Sequence, residues 1–180
     1  MRAVVTRVLS ARVLVDGEVV GQLPRPGLLA LVGVSTEDAE KDAAYIARKI
    51  AELRILPPSY AQPGCGADPA ESDRGEAGPE GCPEGDVGAQ QEDASATEVG
   101  APVLVVSQFT LHAATRKGRR PSWSAAARGE VAQPMVERVK ELLRGHGLHV
   151  ESGRFGAMMQ VESVNDGPFT LILDSTDPRR

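Results

Sequence analysis

Val13-Leu14-Val15-Asp16-Gly17-Glu18-Val19-Val20 is the stretch that decides how this chain begins to fold. Asp-Gly between two apolar, β-branched runs signals a two-residue hairpin turn, because both central positions need positive φ and these two residues tolerate it. Upstream, Val4, Thr6 and Val8 alternate with Val5 and Arg7, the period of a strand with two different faces. Residues 1–23 therefore read as an antiparallel hairpin. Pro24-Arg25-Pro26-Gly27 breaks the pairing, and residues 28–34 form a near-continuous apolar run suited to a strand buried on both faces.

Working outward, Ser35 or Thr36 is placed to cap a helix, with Glu37 and Asp38 near its positive end. Ala39, Ala43, Ile46, Ile50 and Leu53 then recur at helical spacing, one stripe of a helix packed on a sheet. Residues 103–106 read as a buried strand ending in Ser107-Gln108-Phe109-Thr110-Leu111. Ser122 or Ser124 is expected to start a short helix. A longer helix is expected over roughly 131–144, with Val131, Met135, Val139 and Leu142 inward and Gly145 and Gly147 ending it. Residues 148–151, 157–164 and 169–173 supply three more strands. The class is α/β, of α+β character: a barrel-like, closed or nearly closed mixed sheet with two main flanking helices in one domain over 1–180.

Residues 57–100 interrupt that domain. They hold eight glycines, six prolines and ten acids but one base, Arg74. Such a composition buries too little apolar surface to offset its ordering entropy, so a solvated, disordered insertion is expected. The insertion carries −9 of the overall −5, leaving fifteen acids against nineteen Lys and Arg, or +4, in the part expected to fold. That mildly basic remainder keeps a nucleic-acid partner open where the whole-chain charge argues against one. Cys65 and Cys82 both fall in the insertion, and His112, His146 and His149 are scattered, so no metal site and no cofactor are expected. No apolar run approaches the roughly 20 residues needed to cross a bilayer, and the N-terminus does not read as a signal peptide. A cytoplasmic protein without membrane contact is the expectation.

Three stretches carry chemistry. Ser107-Gln108-Phe109-Thr110, leaving a buried strand, offers hydroxyls, an amide and backbone N–H groups for an oxyanion pocket in acyl transfer. On spacing alone, a polar strand terminus satisfying its own backbone is the favoured reading. Asn165-Asp166-Gly167-Pro168 reads as a turn between two strands, with a Gly-Pro bond of the kind that can be cis and hold carbonyls rigidly. Arg116-Lys117-Gly118-Arg119-Arg120 suits phosphate contacts, or stands as a solvated charged loop.

In this order the three stretches resemble the D-aminoacyl-tRNA deacylase family, of the homodimeric bacterial and eukaryotic type. The resemblance also rests on Val13 to Val19, Leu31-Val32-Gly33-Val34, Gly153-Arg154-Phe155-Gly156-Ala157 and Met159-Gln160-Val161, and spans nearly all the chain outside 57–100. It implies ester hydrolysis of D-aminoacyl-tRNA and glycyl-tRNA at a dimer interface. Ser107, Gln108, Phe109 and Thr110 would form the catalytic pocket. Gly167 and Pro168, a cis dipeptide, would enter the partner's pocket to exclude L side chains, with Arg7 holding that dipeptide. Lys117, Arg119 and Arg120 would steer the tRNA. A Thr110 nucleophile is not expected, since no neighbouring base activates it; the 2′-OH of the terminal adenosine is expected to assist water instead. The chain departs from the family pattern at His112, expected at the pocket rim, at Met158, and across the insertion. Hydrolysis of small esters without tRNA and a non-catalytic RNA-binding barrel are the rival readings. A third, an interaction protein working through the acidic segment, sits badly with that segment's solvated composition.

Overall fold

Residues 1–61, 93–116 and 118–177 are described by the computed structural model. Strands β1 (Arg2–Val15) and β2 (Glu18–Gln22) form the expected hairpin. Asp16 and Gly17 turn it at φ of 53° and 84°, the positive pair whose twist matches that of the flanking strands. Strand β3 (Gly27–Gly33) runs antiparallel to β1, with Arg2 opposite Gly33. Strand β4 (Val103–Ser107) runs parallel to β3, and β5 (Val150–Ser152) parallel to β4. The long β6 (Gln160–Asp174) returns antiparallel along almost the whole of β1.

β1 organises the sheet. One edge carries β6, while the other carries β3 on its first half and β2 on its second. The far ends of the sheet curl back towards each other: a Cβ on Gly21 in β2 would collide with the Ser152 carbonyl in β5. The result is the nearly closed mixed barrel expected from the sequence, flanked by α1 (Glu40–Glu52) and α3 (Gly129–Gly145). Successive side chains of a strand point to opposite faces, so the core divides in two. Val103 and Val105 join Ile46, Ile50, Val139 and Leu143 between sheet and helices. Leu104 and Val106 face inward with Val8, Val13, Leu23 and Leu29.

Several local expectations need correction. The residue capping α1 is Ala39, which makes no side-chain cap hydrogen bond. Instead, Asp42 Oδ2 accepts from Ala39 N (2.9 Å), and Asp38 accepts from Ser35 N (2.6 Å) while pairing with the α-amino group of Met1. No helix starts at Ser122 or Ser124; that segment is a turn in which Ala126 N donates to the Trp123 carbonyl. In α3 the inward stripe is Ala132, Val136, Val139 and Leu143, with Val131 half exposed, so the helix is rotated by about one residue from expectation. A small alanine permits close approach to the sheet, which a search for large side chains passes over.

The insertion also folds at both margins. Pro58–Ala61 makes a 3-10 turn with Tyr60 buried, and α2 (Ala96–Val99) buries Ala96 and Val99. Leu56 and Ala94 bridge the two margins by backbone hydrogen bonds. Ser95 and Glu98 form a reciprocal capping box at the start of α2, an S-x-x-E signal present in the sequence. Residues 62–92, with Cys65 and Cys82, lie outside the described residues. Among the described residues, no helix is long and apolar enough to cross a membrane.

Candidate active site

The site begins where two parallel strands end. Open sheets place ligands beyond the carboxyl ends of such strands, and β3 and β4 end side by side at Val32 and Ser107. Gln108 N donates to the Val32 carbonyl (2.7 Å), turning the chain into a 3-10 turn over Phe109–His112. Gly33 makes that turn possible: a Cβ there would lie 2.8 Å from the Gln108 carbonyl and 3.0 Å from Leu111 Cβ. Phe109 and Thr110 open the turn, where the first donors have no intrahelical partner. Their N–H groups take no backbone acceptor outside it among the described residues.

Beside these free amides lies a cavity of about 440 Å3, lined by Ser107, Gln108 and Phe109 on one side and by apolar side chains that include Val136, Phe155 and Met159. A pocket that is mostly apolar with a few convergent polar groups suits a small organic group presented with a reactive carbonyl. N–H groups beside it that have no acceptor among the described residues suit stabilisation of an oxyanion. The Thr110 hydroxyl accepts a hydrogen bond from Gln108 Nε2 (2.6 Å). It has no imidazole or carboxylate partner among the described residues, so nothing there activates it as a nucleophile.

The Asn165 to Pro168 stretch is not a turn between two strands. It bulges from within the continuous strand β6: Thr170 pairs with Thr6 and Asn165 with Val8, so four residues of β6 face the single residue Arg7. A bulge of this size would be loose without side-chain support. Arg7 supplies it, with Nε 3.2 Å from the Asp166 carbonyl and 3.1 Å from Asp166 Oδ2. Its Nη1 donates to the Ile55 carbonyl (3.1 Å), and its guanidinium lies 5.0 Å from the Phe169 ring centroid. From the other side Tyr60 Oη donates to Asp166 Oδ2 (2.8 Å). Burial, and then the neighbouring Asp166, push the Tyr60 phenol well above its ordinary range, so it stays a donor.

The basic loop is held differently. Ala114 and Ser122 close its stem by two backbone hydrogen bonds of 2.7 and 3.1 Å. Arg116, Arg119 and Arg120 stand exposed on it with no ion pair among the described residues; Lys117 lies outside them.

The structure thus brings Ser107, Gln108 and Phe109 together on one cavity wall, with Thr110 next to them but not lining it. Arg7, Asp166 and Gly167 belong to a separate place in the same chain. His112 is not at the pocket rim. It is buried against Gly33 and lines a second cavity with Met1, Asp38 and Asp174, its Nε2 without a hydrogen-bond partner among the described residues. Met158 is highly exposed at the cavity mouth. Tyr60 escaped the sequence reading because it sits inside the Gly/Pro-rich insertion, where one aromatic after two prolines was the sole hint.

Comparison with known proteins gives the family and agrees with the fold. A D-aminoacyl-tRNA deacylase of Kineococcus radiotolerans is 53% identical over 175 residues, covering 97% of this chain and all of that protein. A solved structure described as a c-Myc DNA unwinding element binding protein is 31% identical with a TM-score of 0.74, covering 98% of this chain and 100% of that one. A structure described as a probable eukaryotic D-amino acid tRNA deacylase shares the fold at 14% identity, with a TM-score of 0.70 over 96% and 97% of the two chains. The family model for D-Tyr-tRNA(Tyr) deacylase matches residues 4–63 and 85–174, and both stretches of that match contain parts of the site: this chain belongs to the D-Tyr-tRNA(Tyr) deacylase family.

Proposed function

We propose that this chain hydrolyses the ester joining a D-amino acid, or glycine, to the 3′ end of tRNA, as a homodimer in which the 166–169 bulge of one protomer enters the other's cavity. The deacylase activity follows from family membership; the division of labour is inferred from the site. The observation that carries it is the separation within one copy of two prepared halves: a bulge braced by Arg7 and Tyr60, and a cavity with free amides at its edge. Apolar side chains left exposed along β6 and β1, among them Leu9, Val164 and Ile172, support a second copy covering this region.

In this reading the carbonyls of Gly167 and Pro168, with the bond between them cis, accept from the substrate's α-ammonium. Their fixed position leaves no room for a side chain of L configuration, so selection works by exclusion as well as attraction. Glycine has nothing to exclude and passes. The N–H groups of Phe109 and Thr110 stabilise the oxyanion as water attacks the ester carbonyl, assisted by the 2′-OH of the terminal adenosine. Ser107 and Gln108 shape the wall beside it. Arg116, Arg119 and Arg120, together with Lys117, attract the acceptor-stem phosphates without reading bases. The rival small-ester hydrolase leaves these exposed arginines without a task.

Deacylation of matched D-, L- and glycyl-tRNA by the wild type and by Pro168→Ala tests the proposal. The variant is expected to lose at least tenfold in its D-over-L ratio while still releasing glycine. An unchanged ratio would assign chiral selection elsewhere. A substrate ending in 2′-deoxyadenosine is expected to be nearly inert; a normal rate on it would return the chemistry to the protein.

A further inference from the structure

From Trp123 and Phe109 we infer that this chain carries a nucleobase-stacking platform at the edge of the catalytic cavity, which holds the unpaired nucleotide preceding the terminal adenosine. This rests on the tRNA reading above and adds a binding site to it. The two rings meet edge-on, with centroids 5.8 Å apart and planes at 62°. In that arrangement the edge of one ring meets the face of the other, so each ring keeps at least one face that its partner does not cover, and both residues are exposed, Trp123 to 43% and Phe109 to 57%. Two large aromatic rings exposed side by side form a contiguous apolar patch, the kind of surface that marks a binding site.

Their position says what that group is. Phe109 lines the catalytic cavity, while Trp123 directly follows Ser122, the residue that closes the stem of the basic loop. The pair therefore lies between the place where the ester is cut and the arginines that attract phosphates. A chain whose terminal adenosine reaches the cavity, and whose phosphates follow Arg116, Arg119 and Arg120, has to pass its preceding base across these rings. Base-aromatic stacking beside a positively charged track is the way single-stranded nucleic acid is held without sequence reading. Stacking also has no handedness at the amino acid, so the platform adds affinity for RNA and nothing to the choice between D and L.

Trp123 is the only tryptophan in the chain, so its fluorescence reports the platform directly. Titration of the wild-type protein with the ribotrinucleotide CCA is expected to quench that fluorescence saturably. Trp123→Leu is expected to raise KM for D-aminoacyl-tRNA about tenfold with kcat nearly unchanged. The same variant should act normally on D-aminoacyl-adenosine, which lacks the preceding nucleotide, and Trp123→Phe should restore most of the loss. Fluorescence blind to CCA, or equal losses on both substrates, would overturn the platform. So would a change in oligomeric state in Trp123→Leu, which would make the rings a subunit contact. Wild-type turnover of D-aminoacyl-tRNA tests the function separately: if it is absent, the tRNA reading fails; if it is normal while Trp123→Leu is indistinguishable from wild type, the platform alone fails.

Discussion

The bulge at 166–169 and the loop at 115–121 both project from the same small barrel, and they are built in opposite ways. In the bulge, Asp166 is fixed through its backbone carbonyl and its carboxylate, by Arg7 from below and Tyr60 from the side. In the loop, two backbone hydrogen bonds close the stem, and the arginines beyond it are exposed with no ion pair among the described residues. Under the proposed function the difference matches two physical tasks. Telling a D from an L side chain means comparing positions that differ by about the size of a methyl group, which only a stiff surface can do. Attracting phosphate works over roughly a Debye length of 8–10 Å and tolerates motion.

Perturbing each region in turn should separate the two tasks, with effects on the D-over-L ratio falling from one variant to the next. Arg7→Met removes both bonds to Asp166 and the bond to Ile55. It is expected to reduce the ratio by at least tenfold and to destabilise the protein by about 2 kcal/mol, since it leaves a partly buried carboxylate short of a partner. Deacylation of matched substrates and denaturant unfolding measure both. Tyr60→Phe removes a single hydroxyl, keeps the ring, and is expected to cost about 1 kcal/mol and a few-fold in the ratio.

The Tyr60 contribution carries a pH signature. Its phenol pKa is raised in the folded chain above the ordinary value of 10.0. The stabilisation is therefore complete below about pH 10 and is lost as pH rises further, because the unfolded chain gives up the proton first. Wild type should lose stability faster than Tyr60→Phe between roughly pH 9.5 and 11, the range in which an ordinary tyrosine titrates. Parallel thermal melts would show it. The smallest effect on the ratio, none, is expected from Arg119→Glu with Arg120→Glu. That pair should instead raise KM and flatten the salt dependence, by about 0.9 in slope for each duplex acceptor-stem phosphate that the loop no longer engages. A shifted ratio would mean that the loop enters the pocket.

Much of this was legible in the sequence, and the failures have physical reasons. The hairpin, β3 and β4 declared themselves because strand periodicity and Asp-Gly turn chemistry are local. The bulge did not. Asn, Asp, Gly and Pro favour a turn wherever they occur, and only the pairing of Thr6 with Thr170 and Val8 with Asn165 shows that the strand continues past them. That pairing joins residues more than 150 positions apart, beyond any local pattern. Tyr60 was hidden in the same way, since its composition-poor surroundings read as solvent and its partner, Asp166, lies across the fold. In the stretch 107–110, residue types indicated a polar strand end, while the free amides of Phe109 and Thr110 became visible only with the 3-10 turn.

The central claim is that a bulge on one protomer completes the cavity of its twin, and subunit complementation tests it most directly. Two inactive variants would be mixed and allowed to exchange subunits: one with Gly167 and Pro168 both replaced by serine, the other with the cavity blocked by Ala132→Trp in its wall. The account predicts that D-aminoacyl-tRNA deacylation returns in the mixture, because each mixed dimer pairs one intact bulge with one intact cavity. Activity that stays at the level of the separate variants, in samples shown to contain mixed dimers, would contradict it.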